Sequence, residues 1–199
     1  MSVLIFIDQA DGQIKKASLE VICYGAKVAE QLGATAEGIV LGPIADEHLS
    51  SLGKYGVKKI YHVSQDTLNH FDAQVYTDVL AQAVSQTGAD VVIFSNNVDG
   101  KAVAPRLAAR LRAGLVAGAV ALPNTDGGFV VRKSVFSGKA FANVAILSPV
   151  KILSLNGNSF PVTESAGVAE VVSLSATICE SRIKVTKVNK VSGEVPLSE

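Results

Sequence analysis

Few residues in this 199-residue chain are spaced to do chemistry, and the best set is the run Ser95-Asn96-Asn97-Val98-Asp99-Gly100-Lys101. It follows an apolar stretch and precedes a helical pattern, so it lies where a strand hands over to a helix. In open α/β sheets that carboxyl strand end is where ligands bind. Helix amino termini attract anions and Lys101 adds a positive charge, which makes Asn96, Asn97, Gly100 and Lys101 candidates for holding an anion or a nucleotide. The run is not a phosphate loop. G-x-x-x-x-G-K-[ST] would need Gly where Ser95 stands and Ser or Thr where Ala102 stands. A plainer reading competes: an ordinary strand–helix turn, with Asp99 capping the helix and the two asparagines serving the turn.

Other chemical signatures fail. No G-x-G occurs, so the dinucleotide fingerprint is absent, and there is no G-x-S-x-G. Carboxylates are scattered without an acid–base spacing. Cys23 and Cys179 make no disulfide framework, and Cys23 falls in a helical apolar stripe, as a buried thiol would. His48, His62 and His70 form no ligand motif, and no zinc site is expected. Arg106 and Arg110 share a helix face with Arg112 close by; this is either a basic strip for a partner or cofactor, or a solvated face near a helix carboxyl end.

Composition sets the frame. Hydrophobic residues are 48% of the chain and charged residues 18%, enough for a large core. Eighteen basic and eighteen acidic residues balance, leaving no electrostatic footprint for nucleic acid or an anionic membrane. The uncharged stretch 113–125 is too short and too rich in Gly and Ala to span a bilayer. Residues 3–7 are apolar, but Asp8 interrupts them and no basic residue precedes them, so they read as a buried strand and not a signal.

The elements that must position the candidates alternate regularly. Strands are predicted at 3–7, 35–41, 59–63 and 90–94. Between them come helices marked by Ile14, Ala17, Val21, Gly25, Val28 and Leu32, by residues 45–55, and by Val75, Val79, Leu80 and Ala83. A fourth follows with Val103, Leu107, Ala108 and Leu111, and Pro105 should kink it or mark its start. Such alternation predicts right-handed crossovers and a doubly wound parallel sheet. Beyond Gly118 the pattern changes. Strands are predicted at 120–122 and 151–155, with extended segments at 168–174 and 182–191. A hairpin at 129–147 turns through the two-residue connection Ser137-Gly138. The second half is thus expected to be antiparallel β added to, or beside, the parallel sheet. In the hairpin Arg132, Lys133 and Lys139 alternate with Val131, Val135, Phe136 and Phe141. Arg132, Phe136, Lys139 and Phe141 are expected at an intersubunit contact, although a sheet extension within the domain would look similar. Residues 1–184 read as one α/β domain and 185–199 as a linker.

Taken in order, VLIFID, KKASLEV, LGKYGVKKIYHV, ADVVIFSNNVDGKAVAPRLAARLRAGLVAGAVAL and VRKSVFSGKAFANVAILSPVKILSLNGNSFPV resemble the α subunit of electron transfer flavoproteins. The resemblance runs from residue 1 to about 163 and continues loosely through 182–191. It implies a Rossmann-like fold of the adenine-nucleotide α-hydrolase type. It also implies a heterodimer with a β subunit that carries electrons from flavin dehydrogenases, acyl-CoA dehydrogenases in fatty-acid oxidation above all, to a quinone reductase. In such a protein FAD is bound mainly by the carboxyl-terminal domain of α and AMP by β. This chain reaches the linker where that Gly-rich domain is expected to begin, so no FAD-contacting positions are carried over. The expectation is a cytoplasmic scaffold without its own catalytic site, or a mitochondrial-matrix one in a eukaryote. The alternative is a stand-alone adenine-nucleotide-binding domain.

Overall fold

The computed structural model describes residues 2–188. Strands and helices alternate as β1 (Ser2–Phe6), a small ribbon of β2 (Gln9–Ala10) and β3 (Gln13–Ile14), α1 (Lys16–Gln31), β4 (Thr35–Leu41), α2 (Asp46–Ser50) and β5 (Lys59–Val63). Then come α3 (Ala73–Thr87), β6 (Val91–Ser95), α4 (Val98–Leu111), β7 (Gly114–Ala119), β8 (Val130–Val135), β9 (Ala140–Ala145), β10 (Lys151–Leu155) and β11 (Glu170–Ser173). Among the described residues, nine strands join one sheet in the order β11-β5-β4-β1-β6-β10-β7-β8-β9. Only β8 and β9 run antiparallel to their neighbours.

The apolar runs of β1 and β6 are buried at every position because helices cover both faces of the sheet. Alternate side chains divide between the two layers. Val3, Ile5 and Ile93 pack under α1, while Leu4, Phe6, Val92 and Phe94 pack under α3 and α4. Each such Leu, Ile or Phe contributes about 2 kcal/mol through removal of its side chain from water. Gly25 lets α1 lie against the sheet, since a Cβ there would come within 2.5 Å of Ile5 Cδ1.

The second half departs from the sequence expectation. β10 does not sit beside the sheet; it inserts between β6 and β7, parallel to both. β11 crosses to the far edge and pairs parallel with β5. Among the described residues, antiparallel pairing in the main sheet is therefore confined to the hairpin and its junction with β7. The strand expected at 120–122 lies earlier, at β7, where Gly118 (φ +81°) forms a bulge against β10. The hairpin connection is four residues, 136–139, with Phe136, Ser137 and Gly138 all at positive φ, and not the two-residue turn that Ser137-Gly138 suggested. Residues 182–188 form no strand, and the rest of the predicted segment at 182–191 lies outside the described residues, as does most of the predicted linker.

After β10 the chain returns across the α1 face and clasps the 3-10 turn Ser51–Tyr55. Ser165 and Ala169 amides donate to the carbonyls of Lys54 and Ser50, and Tyr55 Oη donates to Glu164 (2.8 Å). The crossing works because Gly53 has no side chain. A Cβ there would lie 2.3 Å from the backbone of Val168 and Ala169. Beyond β11, residues 174–181 form a strap along α3. The Gln82 amide exchanges two hydrogen bonds with the backbone of Thr177, and Gln86 donates to the Ser175 carbonyl. Gly53→Ala is expected to destabilise the chain by about 1–3 kcal/mol through this overpacking. Urea unfolding, with hydrogen exchange following the loss of protection at Ala169, measures it.

Candidate functional site

The chain winds from β1 through β4 to β5 in one direction and then returns to place β6 on the other side of β1. The carboxyl ends of β1 and β6 therefore flank the topological switch point, where a crevice forms in such sheets. Asp8 follows β1 and Asn96-Asn97 follow β6, so the sequence candidates do reach this mouth. A cleft of about 290 Å³ opens there, with Asp8, Gln9, Lys15, Phe71, Tyr76 and Asp99 in its wall.

Capping decides what the mouth offers. Asn97 is the N-cap of α4: its Oδ1 accepts from the Gly100 amide (2.8 Å). Its Nδ2 donates to Asp8 Oδ2 (2.9 Å), which fixes the amide orientation. Asp99, expected as the cap, instead stands in the first turn of α4 and pairs with Lys15 across the crevice at 2.5 Å. Gly100 is buried because α4 begins hard against β6, where a Cβ would fall 1.9 Å from the Ser95 carbonyl oxygen. Pro105 lies inside the helix and does not start it.

Asp8 is almost fully buried, and burial pushes its carboxyl up to about 6, against the lowering effect of the Asn97 hydrogen bond and of Lys15. Ser95 Oγ, buried beside it, completes no hydrogen bond of ordinary length. One strand further along, Asn96 donates to Asn156 (2.6 Å) and accepts from Ser154 Oγ (3.0 Å), which in turn accepts from the Gly118 amide. Beside this network Glu20 of α1, also buried, receives three backbone amides from the loop after β10: Asn158 at 3.0 Å, Ser159 at 2.6 Å and Phe160 at 2.8 Å. Successive amides of this kind form an anion-binding concavity. Here the anion is the protein's own glutamate.

The remaining candidates lie elsewhere. Lys101 is exposed, and among the described residues no carboxylate pairs with it. Arg110 pairs with Asp78, and Arg106 donates to the Ala102 carbonyl; both border a groove of about 510 Å³ between α3, α4 and the strap. Cys179 lies in that groove with its thiol pushed up by a hydrogen bond to Asp78 and by burial. Cys23 is buried, as its stripe predicted. On the hairpin, Phe136 is 78% exposed and Phe141 56%, with the Arg132 guanidinium 4.2 Å from the Phe141 ring centroid. Lys139 is exposed in the connection. The other hairpin face is not free. Val131, Phe129 and Ile146 are buried in the α1-side core.

Sequence reasoning passed over Asp8, Lys15 and Glu20. A carboxylate directly after a fully apolar strand is a signal that was available for Asp8. Glu20 gave none, because its partners are backbone amides about 140 residues away.

Residues 3–178 match the family model described as electron transfer flavoprotein domain. The chain is similar to the electron transfer flavoprotein subunit alpha of Bacillus subtilis, 28% identical with 99% of this chain and 61% of the relative covered. It is similar to the subunit alpha of Clostridium acetobutylicum, 27% identical with coverages of 97% and 60%. A third relative is a subunit of lactate dehydrogenase (NAD(+),ferredoxin) from Acetobacterium woodii, 26% identical over 99% of this chain and 49% of the relative. The chain thus spans half to three fifths of the length of these relatives.

Because the Asp8 carboxyl is raised from 3.8 to about 6, the folded protein holds this proton where the unfolded chain releases it. Stability should therefore fall as pH rises from about 4 to 6, by up to about 3 kcal/mol in total. Asp8→Asn, which keeps an acceptor for Asn97, is expected to abolish that slope. The variant should be more stable than the parent at pH 7 and equal to it near pH 4, as read by denaturant unfolding at both pH values.

Proposed function

The chain belongs to the electron transfer flavoprotein domain family, and on that footing we propose that it is the amino-terminal scaffold of an α-type subunit. In this reading it works as part of an electron carrier and not as an enzyme alone. Residues 1–184 hold a β subunit and position the flavin-bearing part of the protein, and 185–199 link the two. FAD is bound mainly outside this segment, and AMP by the β partner. The complex passes electrons from flavin dehydrogenases, such as the acyl-CoA dehydrogenases of fatty-acid oxidation, to a quinone reductase. We assign the work to the cytoplasm; among the described residues no helix is long and apolar enough to cross a membrane. Contact with β is assigned to the hairpin through Arg132, Phe136, Lys139 and Phe141.

The observation that carries this reading is the family match over residues 3–178 together with relatives named as electron transfer flavoprotein alpha subunits. The mouth of the sheet supports it. A phosphate approaching the α4 amino terminus meets the Asp99 carboxylate in the first turn and buried Asp8 behind it. Lys15 is already paired with Asp99, and the amide concavity at 158–160 is filled by Glu20. Like charges so placed oppose a dinucleotide pyrophosphate. The residues at the switch point do not fit FAD or AMP phosphates, which weighs against the stand-alone nucleotide-binding alternative.

The test is to purify the 199-residue chain, record its visible spectrum and titrate it calorimetrically with FAD, AMP and ATP. We expect a colourless protein with no submillimolar nucleotide binding, which forms a heterodimer when co-expressed with a β subunit of the family. Stoichiometric flavin would overturn the scaffold reading. AMP binding lost on Lys101→Ala would put the nucleotide site at Asn96, Asn97, Gly100 and Lys101 in its place.

A further inference from the structure

The sheet has two edges of unlike character. At one, β11 is four residues long, opens on Glu170 beside Lys59, and is tied down by the clasp and the strap. At the other, β9 is Ala140-Phe141-Ala142-Asn143-Val144-Ala145: six residues without charge, Pro or Gly. Among the described residues it is paired in unbroken register with β8 along one side only. Natural proteins usually guard such an edge with a charge, a proline, a bulge or a covering loop. Among the described residues β9 carries no such guard.

The direction of its free groups follows from the ladder. The Ile146 amide donates to the Phe129 carbonyl, so the peptide groups of 146 face β8. Along an antiparallel strand the facing alternates, which turns the amides and carbonyls of 144, 142 and 140 inward as well. Those of Phe141, Asn143 and Ala145 then point away from the sheet, and these three residues are the exposed ones along the strand. Charge is one-sided too. From Gly127 to Thr163 there is no acidic residue, while Arg132, Lys133, Lys139 and Lys151 are basic, in a chain whose net charge is zero.

We propose that the free edge of β9 receives an extended strand of the partner subunit, one bearing acidic side chains, so that the sheet continues across the subunit boundary. This deepens the assignment of the hairpin as the docking arm, and it rests on that assignment. Main-chain hydrogen bonds to Phe141, Asn143 and Ala145 hold the incoming strand. Arg132, Lys133 and Lys139 select its charge, while Phe136 and Phe141 cover its apolar side chains.

The experiment compares the full 199-residue chain and its variants in complex with the co-expressed β subunit. Hydrogen exchange should slow tenfold or more at the amides of Phe141, Asn143 and Ala145 on complex formation. Proline is tolerated on an edge strand where its nitrogen faces solvent. Asn143→Pro should therefore leave the thermal midpoint of the free chain nearly unchanged and weaken association by tenfold or more. Association should also weaken as salt is raised. If Asn143→Pro binds normally, or the three amides exchange at the free rate in the complex, strand addition is overturned. Should Phe136→Asp with Phe141→Ala nonetheless abolish binding in that case, the hairpin remains the docking arm through its side chains alone. If none of these variants weakens association, both readings fall. If Asn143→Pro unfolds the chain, the exchange pattern of the unmodified complex decides.

Discussion

The polar end of this molecule depends on the close approach of α4 to β6 at Gly100 and Ser95. With no room for a Cβ between them, the helix starts immediately beyond the strand, and its first turn is forced into the switch-point crevice. Once there, its amides need partners that water supplies poorly. Asn97 caps it, Asp8 orients Asn97, and Asp99 draws Lys15 across from the start of α1. Each interaction follows from the one before. The cost appears at Asp8, where a carboxyl is held in a place that disfavours its charge.

The consequence is a change in what the mouth can do. In α/β sheets of this topology, helix amino termini and loop amides at the carboxyl ends of the strands are a ready source of positive potential. This chain keeps those groups in place and engages them from within: Asn97 accepts the Gly100 amide, Asp99 sets a carboxylate in the first turn of α4, and Glu20 accepts the amides of the loop after β10. An intramolecular carboxylate has a concentration advantage that a dilute ligand must overcome, and its ordering entropy is already spent in folding. The switch point is where α/β sheets hold ligands, and here Asp8, Asp99 and Glu20 each already have an intramolecular partner.

How much of this was legible depended on how local the cause was. β4 and β5 could be read to the residue because an apolar run between turn residues defines them without reference to anything distant. Gly33, Gly56 and Gly88 ended their elements at positive φ for the same local reason. The insertion of β10 between β6 and β7 could not be read, since a short apolar strand looks the same whichever neighbours it takes. The cap was misassigned because Asn97 and Asp99 are both good capping types. What decides between them is Asp8, 89 residues away, which holds the Asn97 amide in register with Gly100. The four-residue hairpin connection escaped because Ser137-Gly138 has good two-residue turn chemistry. Phe136 at positive φ is an outlier that no propensity favours. At the site, Asn96 and Asn97 were legible as a strand–helix turn, whereas Glu20 acts on backbone alone and leaves no residue pattern.

Strain and exposure together distinguish the hairpin from the rest of the fold. A bulky residue in the left-handed region costs about 1–2 kcal/mol, and Phe136 bears that cost while leaving most of its ring in water. Neither feature helps the isolated chain. On the inner side of the same arm, Val131, Phe129 and Ile146 are anchored in the core, so the arm is held firmly while its outer side stays open. A rigid base with an unsatisfied outer strand limits the entropy lost on association, because the backbone that would bind is already ordered. The opposite edge shows the other solution to the same problem: β11 is short, charged and tied on both flanks by clasp and strap. One chain thus closes one edge of its sheet and leaves the other open. That asymmetry gives the fold a direction, with its internal contacts concentrated at β11 and its unsatisfied backbone, among the described residues, at β9.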